Sequence, residues 1–136
     1  MERHIFSRLL SRYEIHPIWS MARIGNFNGG SKFEVRVYAK EGDIAHFHVV
    51  DEQKHREACV QIEKPEYFIH GKKTFMFNSG QKRELINFLK TVSPYEEDHG
   101  KTYYELIWEE WNRNNPDHRI EKPESMPDYE LLPSKK

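Results

Sequence analysis

Between Lys32 and Asp51 the chain alternates apolar and polar residues twice, interrupted by the polar run Lys40-Glu41-Gly42-Asp43. This stretch constrains the fold more than any other. A period of two sends successive side chains to opposite faces of a strand. Phe33, Val35, Val37 and Ala39 therefore point one way, and Glu34, Arg36 and Tyr38 the other. After the Glu41-Gly42-Asp43 turn, Ala45, Phe47 and Val49 alternate with His46 and His48. A short turn joins antiparallel strands, so the two apolar sets are expected on one face and the two histidines on the polar one.

The flanking sequence extends this hairpin into a sheet. Ile18 to Phe27 is rich in β-branched and aromatic residues, and Asn26-Phe27-Asn28-Gly29-Gly30 supplies a turn, because Asn and Gly accept positive φ. Residues 51–56 read as a polar loop. Glu57–Glu63 reads as a strand with Ala58, Val60 and Ile62 inward and Glu57, Cys59, Gln61 and Glu63 opposite. Pro65 closes it, and Thr74–Phe77 is a short apolar strand or lead-in.

Three stretches have helical periodicity instead. Residues 2–13 place Ile5, Phe6, Leu9, Leu10 and Tyr13 on one side. Asn78 or Ser79 can cap a helix running to about Val92, with Leu85, Ile86 and Leu89 on its apolar stripe. A further helix from about Gly100 to Asn114 carries Tyr103, Tyr104, Ile107, Trp108 and Trp111 at spacings of three and four. The expected fold is α+β: an antiparallel β-meander of three to five strands, two C-terminal helices on one face, and a short N-terminal helix. Residues 1–114 form the single domain. Residues 115–136, with Pro116, Pro123, Pro127 and Pro133, form an extended tail in which Met126, Tyr129, Leu131 and Leu132 mark points of docking.

Composition narrows the function classes. A chain of 136 residues suits one domain. Its single cysteine, Cys59, excludes an intrachain disulfide and any multi-cysteine zinc site. No apolar run reaches the roughly 18 residues of a membrane span, and the first ten residues lack the apolar core of a signal peptide. A cytoplasmic protein with no membrane contact is expected. Residues 1–40 hold seven Lys/Arg against three Glu, and residues 93–130 hold four against eleven Asp/Glu. A basic front and an acidic back suit either a polar partner surface or mutual attraction of the two ends. The phosphate-binding glycine loops, the Gly-x-Ser-x-Gly elbow and His-Glu-x-x-His are all missing from the sequence.

The candidate site is the polar sheet face: Glu34, Arg36, Tyr38, His46, His48, Cys59, Gln61 and Glu63. Two histidines at i and i+2 on a strand, joined by Glu63 or Cys59, have the donor types of a divalent metal site. Without a metal or any other cofactor, His46 and His48 could serve as acid and base in phosphodiester cleavage, with Arg36 and Tyr38 stabilising the phosphate. Glu34, Gln61 and Glu63 would then contribute binding. The same face could instead recognise a protein or RNA, or hold the sheet together through His–Glu pairs. A structural subunit of an assembly is a further reading.

Arg36-Val37-Tyr38, a polar turn, and His46-Phe47-His48-Val49 resemble a family of small bacterial proteins called domain of unknown function 4160. Arg56-Glu57-Ala58, the helix near Leu85–Leu89, and Glu105-Leu106 with Trp108 and Trp111 follow in matching order. The resemblance covers roughly residues 33–112. It implies a small bacterial or phage protein of toxin–antitoxin-like context that acts by binding a partner, with His46 and His48 as motif residues. A His-dependent endoribonuclease toxin is the alternative.

Overall fold

The computed structural model describes residues 21–69 and 75–135; the expected helix at 2–13 lies outside them. Four strands form one antiparallel meander: β1 (Met21–Asn28), β2 (Lys32–Tyr38), β3 (His46–Asp51) and β4 (Arg56–Gln61), in spatial order β1-β2-β3-β4. Two helices of twelve residues follow, α1 (Ser79–Lys90) and α2 (Tyr103–Asn114). The architecture is the expected α+β fold. No helix among the described residues is long and apolar enough to cross a membrane.

Register explains why the hairpin dominates the fold. Val35 pairs with Val49 and Val49 with Ala58, while Phe47 pairs with Val60. These apolar residues are almost fully buried, together with Ala22, Ile24, Phe33 and Val37. Leu85 and Leu89 of α1 and Ile107 and Trp111 of α2 belong to the same core. The β1–β2 turn uses Gly30 at φ +96°, a conformation costly for any residue with a Cβ. Gly25 has a different reason to be glycine. A Cβ there would lie 3.0 Å from the Phe88 ring and 3.2 Å from Tyr103, two rings stacked with centroids 4.3 Å apart. β1 also shifts register between Arg23 and Gly25, so the strand bends where the helices press on it.

Both helices begin with a reciprocal cap. The Asn78 side chain accepts from Gln81 N at 2.8 Å while Gln81 Oε1 accepts from Asn78 N at 3.0 Å. Thr102 and Glu105 repeat the arrangement on α2. Each satisfies amides that the first helical turn leaves without intrahelical partners. Asn78→Ala is expected to cost about 1 kcal/mol, read as a lower urea midpoint with an unchanged slope.

Residues 115–135 contain only the 3-10 turns Pro116–His118 and Tyr129–Leu131, yet they are not a loose appendage. The Tyr129 hydroxyl donates to the carbonyls of Gln61 and Ile62, and Tyr129 and Leu132 are 1% exposed. Lys82 of α1 donates to the carbonyls of Glu130 and Leu132 at 3.0 and 2.9 Å. The Trp111 indole donates to His118 O at 2.8 Å. A boundary at residue 114 therefore separates regular from irregular structure, while the packing continues to the end of the described chain.

Candidate functional site

The cross-strand register puts Arg36 opposite His48, His48 opposite Cys59, and His46 opposite Gln61. Paired residues share a face, so these five side chains lie together as the alternation required. Glu34, two residues before Arg36, joins them. Glu63 does not: it lies past the end of β4 and is exposed. Its charge acts instead on Tyr104, whose hydroxyl is raised above its ordinary range by burial and by that nearby carboxylate.

The histidines are more enclosed than an open sheet face would make them, His46 at 1% exposure and His48 at 3%. Aromatic rings surround them. Phe68 lies 4.4 Å from the His46 ring and Trp111 of α2 5.4 Å, while Tyr38 meets His48 edge-on at 4.5 Å. The two imidazoles are 5.1 Å apart. Phe68 reaches this position because residues 66–68 run antiparallel beside β4, with Gln61 N donating to Glu66 O and Phe68 N to Cys59 O.

Glu41 completes the group, although its sequence position suggests only a turn. Asn115, at the end of α2, accepts from Glu41 N at 3.1 Å and donates to Tyr38 O at 3.0 Å. It thereby holds the 38–41 segment against the sheet. Lys40 at φ +58° and Gly42 at φ +96° make the reversal. The Glu41 carboxylate then lies 2.6 Å from His48 Nε2 and 3.5 Å from His46 Nε2. On its other side His48 Nδ1 faces Glu57 Oε2 at 3.3 Å and Cys59 Sγ at 3.4 Å. His46 Nδ1 is 2.7 Å from the Ile44 carbonyl oxygen. Burial works against a charge on His48, but Cys59, Glu41 and Glu57 outweigh it, and the imidazole is pushed up to about 11. With those partners it is an imidazolium at neutral pH.

Arg36 is also fully engaged. Its guanidinium bonds Glu34 at 2.5 Å, Glu52, and the Tyr38 hydroxyl at 3.3 Å. Desolvation lowers its basicity, yet Tyr38 and Glu34 more than compensate, so its charge is held more firmly still. Arg23, half-exposed on β1, approaches Glu34 at 3.8 Å. The outer part of the face is thus a row of alternating charges, Arg23, Glu34, Arg36 and Glu52. The inner part is a His–Glu–Cys cluster in which His46, His48 and Cys59 are buried and Glu41 and Glu57 are half-buried.

Two sets of donors within the cluster have ligand atoms all within 4.8 Å of one another: Glu41, His46 and His48, and His48, Glu57 and Cys59. Of the residues expected at the site, the structure gathers Glu34, Arg36, Tyr38, His46, His48, Cys59 and Gln61, and leaves out Glu63. Sequence reasoning missed Glu41 and gave Glu57 no role. Glu57 had a signal, since its parity matches Cys59 and Gln61. Glu41 had none, because its placement depends on a residue 74 positions later. Compared with known proteins, the chain matches no family model, no curated protein and no solved structure.

Proposed function

We propose that this protein is a small, cytoplasmic partner-binding component of a toxin–antitoxin-like system, meeting a protein through the charged rim of its polar sheet face. One observation carries this reading. The groups that acid–base chemistry would use, His46 and His48, are buried, whereas the same face turns Arg23 and Glu52 outward, with side chains 53% and 70% exposed. A general base must come within hydrogen-bond reach of the proton it takes. Arg36, the expected phosphate ligand, is neutralised by Glu34 and Glu52. Crossed charges of this kind favour orientation and choice of partner over raw affinity. The resemblance of residues 33–112 to small toxin–antitoxin-like proteins agrees with a binding role.

The test has two arms. A tagged chain purified from its host is expected to bring down one stoichiometric protein. The charge-reversed variant Arg23→Glu/Glu52→Arg should lose that protein while keeping the wild-type circular dichroism. Retention of the partner by the variant would remove the rim from the interface. The second arm incubates wild type and His46→Ala/His48→Ala with RNA, with and without EDTA. No cleavage is expected in any lane; cleavage by the wild type alone would replace the binder with a histidine-dependent nuclease.

A further inference from the structure

We propose that the partner seated on the charged rim is a second copy of this chain, related by a two-fold axis that passes between Glu34 and Arg36. The inference rests on the rim being an interface, as proposed above, and names its occupant.

The order of the charges carries it. Ion pairs link Arg23 to Glu34 at 3.8 Å, Glu34 to Arg36 at 2.5 Å, and Arg36 to Glu52. The row crosses the sheet from β1 through β2 to the turn after β3, and its signs run plus, minus, plus, minus. A two-fold rotation reverses that order in the second copy. In such a contact residue i meets j and j meets i. Arg23 then faces Glu52 of the second copy, Glu34 faces its Arg36, and both contacts recur across the axis. A row of four alternating charges is therefore complementary to its own rotated image. A row of three, or of one sign, would set like charges against each other.

The ends and the middle of the row have different parts to play. Arg23 and Glu52 are exposed at the two ends. A guanidinium has five N–H donors and a carboxylate about four acceptor sites, so each can bond across the interface and keep its present neighbour. Glu34 and Arg36 are half-buried and fixed by their mutual bond, which sets the position of the axis. Asn26 and Val50 are the cross-strand neighbours of Glu34 and share its face. Asn26 is exposed and Val50 half-buried, so an amide and methyl groups flank the charges where the copies meet. A net charge of −1 leaves little overall repulsion between them. Pairs at exposed ends are screened by salt, so the dimer is expected to weaken as ionic strength rises.

Sedimentation velocity over a concentration series should show the wild-type chain associating to twice its mass. Arg23→Glu and Glu52→Arg should each weaken self-association by about tenfold or more, because each turns two attractive contacts into two repulsive ones. Mixed in equal amounts, the two variants should dimerise again. The first is acidic at both ends of the row and the second basic at both, a rescue that misfolded chains could not give. A wild type that stays monomeric overturns the inference, as do variants that dimerise unaided or fail to rescue each other. The tagged-chain capture separates this failure from failure of the rim reading. Untagged copies of this chain in the captured band support the second copy. A different protein that is lost on charge reversal keeps the rim and removes the second copy; capture that survives the reversal removes both.

Discussion

Tyr129→Ala is expected to destabilise the protein by about 4 kcal/mol, a large fraction of the roughly 5–15 kcal/mol that holds a domain together. The residue sits in the irregular C-terminal segment, where a substitution would ordinarily be harmless. Here the ring is 1% exposed and packs edge-on against Phe47 and against Tyr104. Removing it leaves a cavity the size of an aromatic ring and takes a shared donor from the carbonyls of Gln61 and Ile62. Tyr129→Phe separates the two effects. It keeps the packing and loses the hydroxyl, and Tyr104 still donates to Ile62 O at 2.7 Å, so a loss of only about 1 kcal/mol is expected. Urea unfolding of the three proteins measures both. Near-wild-type stability of Tyr129→Ala would mean that the segment is not part of the core.

Asp51→Ala is expected to cost about 3 kcal/mol. The carboxylate is fully buried. It accepts from the Ser31 hydroxyl at 3.0 Å, from Arg56 Nε at 3.1 Å and from Lys54 N at 3.3 Å. It thus ties the β1–β2 turn and the β3–β4 loop to one point. Burial alone would raise its pKa, but Ser31, Arg56 and Lys54 outweigh that and hold it below the ordinary 3.8. A depressed folded pKa stabilises the native state while the group is ionised. The contribution is fully present above the unfolded value and fades as pH falls through the folded one. Urea midpoints recorded from pH 6 downward should therefore drop on an acid limb in the wild type. The same limb should be shallower in Asp51→Asn, because that side chain no longer titrates. Parallel limbs would show that Asp51 is not the group responsible.

Most of the scaffold was legible because it rests on local periodicity. Phe33, Val35, Val37, Phe47 and Val49 reach the core for no reason beyond alternation at a period of two. Asn78 caps a helix because its side chain bonds the amide three residues ahead. The sharing of one face by Arg36, His48 and Cys59 also followed from parity alone. Glu63 was misplaced by the same logic. Parity holds only while the strand lasts, and β4 ends at Gln61. The proline-rich end was legible as irregular but not as packed, since its anchors, Lys82 and the carbonyls of Gln61 and Ile62, lie far away in sequence.

The sequence by itself determined that an alternating hairpin would carry two histidines on the face away from its apolar anchors. Tertiary structure decided what those histidines meet. Asn115, at the end of the last helix, folds the 38–41 turn inward and brings Glu41 onto both imidazoles, while Phe68 and Trp111 enclose them. Side-chain direction along a strand is a local property of the backbone, set by the pleat. Convergence of donors from a turn and two strands is not, because each depends on packing partners that no short stretch contains.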